Sequence, residues 1–198
     1  SEIRGYRRIS AVEVSPIHDR SFPDRSKSFL LECDTLLLSV GLIPENELSL
    51  KAGVVLDNVT RGPVVDSNLM TSVNGIFACG NVLHVHDIVD WVSDESEFCG
   101  RMAAAFVKNE LVKSREVPVR TGKMLTYTLP SKVEAGKPAL LSLRTIAPLE
   151  NVFLVAKTEK DVLSRKKFRK IFPSIMQRIE IKKVPEDAQY VETFISSD

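Results

Sequence analysis

What the chain does not contain narrows its chemistry. Its three cysteines, Cys33, Cys79 and Cys99, form no CxxC pair, so dithiol redox chemistry has no motif here, and two of them sit in apolar segments as reduced core residues would. None of its nine glycines falls in a GxGxxG pattern, so a dinucleotide pyrophosphate has no glycine cradle. No apolar run reaches the roughly 18 to 20 residues of a membrane-spanning helix, and no basic start leads into an apolar core as in a secretion signal. The expectation is therefore a cytoplasmic protein with no membrane partner.

What is present is the composition of a globular chain. Hydrophobic residues make up 43% and charged residues 27% of 198, enough for one large or two small domains with real cores. The net charge of +1 hides an asymmetry: residues 1–116 carry 12 Lys and Arg against 17 Asp and Glu, and residues 117–198 carry 15 against 9. A change of sign of this size predicts two domains, 1–116 and 117–198, divided at VPVRTG.

In the first part, IRGYRRISAVEV and FLLECDTLLLSVG predict a hairpin-like pair around a polar turn. Thr35–Val40 is a nearly unbroken apolar run that predicts a strand covered on both faces, as in a parallel sheet, and it ends at Gly41. The stretch TSVNGIFACGNV repeats the pattern, with an apolar strand from Ile76 to Cys79 that stops at Gly80 and Asn81. A helix is expected from about Asp90 or Ser93 to Leu111. Ser93 and Asp94 are its candidate caps, Phe98, Met102, Ala105 and Phe106 its apolar stripe, and Gly100, Ala103 and Ala104 the small residues that permit close packing. A glycine at a strand end admits a ligand or another backbone, and a helix N-terminus facing it attracts negative charge. On spacing alone the favoured reading is that Gly41 and Gly80 are only turn glycines.

VDSNLMTSVNGIFACGNV resembles the second flavin-binding motif of the pyridine nucleotide-disulfide oxidoreductase superfamily, T-S-x-x-G-I-F-A-x-G-D-V. CDTLLLSVGLIPENEL is similar to its companion A-D-x-V-L-x-A-x-G-x-x-P-N, and GNVLHVHDIVDWVSDESEFCGRMAA resembles the branch containing opine oxidase A subunits, hydrogen cyanide synthase and glycerol-linked FAD-dependent oxidoreductases. The resemblance covers about residues 30–112, with residues 1–29 fitting the closing hairpin of an inserted NAD-binding domain. It implies an α/β fold, a partial FAD/NAD(P)-binding Rossmann-like unit. It further implies FAD, with NAD(P) as a second cofactor, and contacts from Gly41, Cys79, Gly80, Asn81 and Val82. The helix start adds Asp90, Trp91 and Val92. Asn81 stands where the family has Asp, which removes a charge beside the ribityl diphosphate. With no glycine cradle, the chain is expected to be the C-terminal part of a longer oxidoreductase that binds FAD weakly or not at all by itself.

His84 and His86 point to one side of an extended segment. As weak catalytic candidates they would transfer protons near the flavin; the favoured reading is loop structure, with no metal assigned. His18 lies in a polar turn and carries no signal, and Trp91 is either core or a flavin neighbour. Residues 117–198 hold six β-rich segments at about ten-residue spacing, which predicts a small all-β, antiparallel, immunoglobulin-like sandwich. Its basic run SRKKFRK, Ser164–Lys170, reads as a solvated edge strand rather than a nucleic-acid surface. Two functions follow as expectations. One is part of an FAD-dependent oxidoreductase acting on a small-molecule substrate, with an electron-acceptor protein or partner subunit; the other is a non-catalytic scaffold module that assembles through its sandwich.

Overall fold

A computed structural model describes residues 2–18, 22–39, 41–112 and 114–197. The chain divides into two compact units, Ser1–Gly41 and Leu42–Asp198.

The first unit is a three-stranded antiparallel sheet, β1 (Glu2–Gly5), β2 (Ile9–Val14) and β5 (Phe29–Glu32), with β2 in the middle. A two-residue pair, β3 (Ile17–His18) and β4 (Phe22–Pro23), stands beside it in sequence. Residues 19–21 of the expected polar turn lie outside the described residues. The expected pairing of the two apolar segments is β2 with β5, register Val14 to Phe29. This sheet has almost no core. Among the described residues only Ala11, Val12 and Ser15 are buried, while Phe29, Leu30 and Leu31 are all about half exposed. Consecutive strand residues face opposite ways, so both faces of β5 are uncovered. The expected buried strand from Thr35 is not formed: residues 35–39 are irregular, Leu37 is 90% exposed, and Val40 lies outside the described residues. A strand buried on both faces needs a neighbouring strand and a layer on each side, and this unit supplies neither among the described residues.

Three strands with no covered apolar face do not fold independently. A chain of residues 42–198 is therefore expected to melt cooperatively within a few degrees of the full chain, and a peptide of residues 1–41 to show no transition by circular dichroism. Loss of the transition in the shorter chain would mean that the sheet supports the rest.

Among the described residues the second unit contains α1 (Glu47–Lys51), α2 (Val89–Val107) and eight strands: β6 (Glu116–Thr121), β7 (Leu125–Leu129), β8 (Lys132–Glu134), β9 (Ala139–Thr145), β10 (Leu149–Lys157), β11 (Val162–Ile171), β12 (Gln177–Ile181) and β13 (Val191–Ser196). The expected division at 116/117 falls inside this unit. Its strands form a five-stranded sheet, β11-β10-β13-β6-β8, and a three-stranded sheet, β12-β9-β7. Leu141, Leu143, Ile179 and Ile181 of one sheet and Leu154, Val191 and Ile195 of the other share one core. The six predicted segments correspond to β7 and β9–β13. The sandwich is not wholly antiparallel, because β13 pairs with β6 in parallel, and β6 occupies the VPVRTG stretch expected to be a linker. The basic run lies on β11, which among the described residues pairs only with β10. Its exposed lysines and arginines suit an edge that must not recruit another strand.

Residues 42–112 pack on this sandwich through a second core of Val65, Leu69, Ala78, Leu83, Cys99 and Leu129, against which Phe98 and Tyr127 are placed. Asn46 ties the loops together, donating to the carbonyls of Arg61 and Val82 at 3.1 and 2.9 Å. The helix α2 starts after Ile88, with no side-chain cap, so Ser93 and Asp94 lie within the helix rather than capping it. It stops at Val107, short of the expected Leu111, because Asn109 takes a left-handed backbone (φ 59°) that closes the last turn. Gly100 has nothing within 4 Å of where a Cβ would stand and is exposed, so close packing does not depend on it. Among the described residues no helix is long and apolar enough to cross a membrane.

Candidate functional site

The run Ile76–Cys79 is extended, held by a single bridge between Met70 and Phe77. Gly80 then reverses the chain with φ +67° into a turn of 3-10 helix, Gly80–Val82. The glycine is required by that backbone and not by space: an added Cβ would meet Val92 Cγ1 at 3.5 Å, an ordinary contact. Gly80 is buried beneath α2, and its N–H donates to Glu95 Oε1 at 2.6 Å. Asn81 is exposed, and its Oδ1 accepts the His86 N–H at 3.1 Å. Cys79 and Val82 are half-buried, and the Val82 carbonyl is taken by Asn46.

This turn delivers Leu83 and His84 into the core, both at most 1% exposed. His84 Nε2 lies 2.9 Å from Glu95 Oε2, and its Nδ1 is 3.4 Å from the Tyr127 hydroxyl. His86 Nε2 is 3.3 Å from the same Glu95 oxygen but too bent for a hydrogen bond. Both of its ring nitrogens are buried without a hydrogen-bond partner among the described residues. The two imidazoles have centroids 4.3 Å apart. Burial pushes the Glu95 carboxyl up, yet the His84 bond, the nearness of His86 and the Gly80 N–H outweigh it and bring the group down to about 2. The result is a carboxylate held ionised in a largely buried setting by two rings and a backbone amide.

The sequence placed His84 and His86 on one side of an extended segment but gave no part to Glu95. Its signal was available: Glu95 sits one turn before Phe98 and Cys99, on the face that α2 turns inward. Tyr127, from β7, had no local signal. Cys79 and Cys99, far apart in sequence, come close enough for their thiols to interact, and burial together with that neighbour pushes Cys99 up to about 12, so it is an unreactive thiol.

The remaining predicted residues separate into exposed and packed. Asp90 is exposed, beside Ile88 and Val89, in the uncapped first turn of α2. Trp91 and Val92 are half-buried; Arg178 lies 4.5 Å over the Trp91 ring and donates to its carbonyl at 3.0 Å. Trp91 thus fastens α2 to β12. Asp87 does the same for the preceding loop, accepting from Arg144 and from the Met176 N–H, each at 2.6 Å. Gly41 has φ +91° and open space around it; it belongs to the first unit. A cavity of about 440 Å³ opens between α2 and the three-stranded sheet, lined by Leu69, Glu95, Phe98, Leu129 and Arg178 among others.

Residues 8–97 match the family described as pyridine nucleotide-disulphide oxidoreductase. That stretch, less than half of the chain, is similar to this family. Dihydrolipoyl dehydrogenase from Manduca sexta is 37% identical over 71 residues, which are 35% of this chain and 14% of that protein. No solved structure matches the chain. The relationship covers the Gly80 turn, the histidines and the start of α2, and stops within that helix. The sandwich lies outside it.

Proposed function

We propose that this chain supplies the second flavin-binding motif of an FAD-dependent oxidoreductase, in which the glycine cradle for the diphosphate comes from another segment. The observation that carries the reading is the start of α2 within the family-related stretch: its first-turn amides have no side-chain acceptor and the residues around them, Ile88–Asp90, are exposed. Free amides at a helix start favour an electron-rich edge. Bound FAD would supply hydride or electron-pair acceptance. The protein's own share is to present these amides and the exposed Asn81, whose Nδ2 is a neutral donor suited to a ribityl hydroxyl or a diphosphate oxygen. Gly80 supports both from beneath, since its N–H is held by Glu95 and cannot also bind a ligand. In the second unit the uncovered apolar residues Leu42 and Ile43 are available for a nucleotide-binding sheet to cover. The branch containing opine oxidase A subunits and its relatives, an electron-acceptor protein or partner subunit and a small-molecule substrate belong to the same proposal.

A second reading, a non-catalytic scaffold module, is favoured by that same Gly80–Glu95 bond, which closes the corner over the glycine. One experiment separates the two. The 198-residue chain is produced alone and together with the polypeptide encoded directly upstream, and the flavin retained after gel filtration is measured by absorbance. We expect about one flavin per complex in the second case, little in the first, and an affinity about 3- to 10-fold lower for Asn81→Ala, the size of one hydrogen bond. Absence of flavin in the joint preparation leaves the scaffold.

A further inference from the structure

The geometry points to a metal site that the flavin reading does not need: His84, His86 and Glu95 form a three-ligand centre for a divalent cation of the zinc class. The three side chains each offer one ligand atom, and these atoms lie within 4.8 Å of one another. The two separations to Glu95 Oε2, 2.9 Å from His84 Nε2 and 3.3 Å from His86 Nε2, lie within about 0.5 Å of the ligand spacing of about 3.4 Å that follows when nitrogen and oxygen sit near 2.1 Å from a tetrahedral ion. Two imidazoles and one carboxylate suit zinc, cobalt or nickel and not magnesium or calcium, which take oxygen ligands.

Two further observations point the same way. The first is His86, whose side chain is 1% exposed and whose ring nitrogens make no hydrogen bond among the described residues, Nε2 having only the 3.3 Å contact with Glu95. A neutral imidazole always carries one N–H and one lone pair, so the metal-free core leaves a donor and an acceptor unsatisfied, a cost that native cores rarely accept. An ion takes up the lone pair. The second is the set of groups behind the ligands: Tyr127 stands at the outer nitrogen of His84, and the Gly80 N–H fixes the other oxygen of Glu95. Ligands oriented by such partners are the usual supporting arrangement of metal sites. Glu95 also lines the 440 Å³ cavity, which neither histidine does, so it is the ligand through which the cavity borders the site.

The test uses the whole 198-residue chain, stripped with a chelator and without flavin, so its outcome is independent of the oxidoreductase reading. Titration with cobalt(II) is expected to saturate at one equivalent with the visible absorption of a tetrahedral ion, to be reversed by zinc and to be unaffected by excess magnesium. His86→Gln is expected to weaken cobalt binding by more than about 100-fold, and Tyr127→Phe by about 10-fold, the range of second-rank partners. The His86 ring makes no hydrogen bond among the described residues, so replacing the side chain breaks none, and the backbone bond to Asn81 is kept. The wild-type chain gives a test free of variants: of its three histidines, zinc should shift the ring resonances of two and leave the third. The proposal fails if the folded chain takes up no cobalt, if His86→Gln binds equally well, if a cobalt–thiolate charge-transfer band shows Cys79 or Cys99 as ligand, or if zinc moves fewer than two histidine rings.

Discussion

Glu95→Ala is expected to destabilise residues 42–198 by about 3 to 5 kcal/mol, the cost of removing one member of a buried ionic cluster. Three groups lose their partner together. The Gly80 N–H and His84 Nε2 are left facing apolar surroundings, and His86 loses the charge 3.3 Å away; each orphaned buried polar group costs about 1 to 3 kcal/mol. The control lies two residues along the same helix. Glu97 is exposed and pairs only with Arg101, one turn on, so Glu97→Ala should cost no more than about 0.5 kcal/mol. Urea unfolding in metal-free buffer, followed by the fluorescence of Trp91, the single tryptophan, measures both. Equal losses would mean that Glu95 does not occupy the buried position described.

The sequence made the sandwich legible because its information is local. β13 alternates buried and half-buried residues without a break, and β9, β10 and β12 keep enough alternation between turns to be seen singly. β6 was hidden, since a strand containing Pro118 and three exposed polar residues reads as a linker until its neighbours, β13 and β8, are known. In the first 112 residues the pattern promised a sheet buried on both faces, and Leu37 and Leu38 lie exposed instead: an apolar run records what a strand is suited to, and the layers around it must exist for that to be realised. The candidate site divides in the same way. The Gly80 turn and the two histidines were visible because a positive φ and a two-residue spacing are properties of neighbours. The joining of Glu95 to them depends on α2 folding back over the turn, and Tyr127 on β7 reaching His84 across 43 residues, which no spacing rule contains.

The second large effect comes from the smallest change. Gly62→Ala would place a Cβ 1.7 Å from the Leu83 carbonyl oxygen and 2.5 Å from its carbon. The obstacle is backbone, so no rotamer change relieves it, and the segments around Gly62 and Leu83, which Asn46 clasps through the Arg61 and Val82 carbonyls, must part. Overfilling of a well-packed core costs about 1 to 3 kcal/mol when side chains can yield, and here they cannot, so the expected loss is at least about 3 kcal/mol. The displacement also has a direction. Leu83 is fully buried and immediately precedes His84, so moving it carries the imidazole away from Glu95. Gly62→Ala should therefore lower cobalt binding as well as the melting temperature, although Gly62 touches none of the three ligands. Gly100→Ala is the matched control: the same methyl enters open space on a regular helix and should stabilise by about 0.5 to 1 kcal/mol through helix propensity alone. A Gly62→Ala protein that melts like the wild type would show that these two backbones do not meet, and the placement of His84 would have to be sought elsewhere.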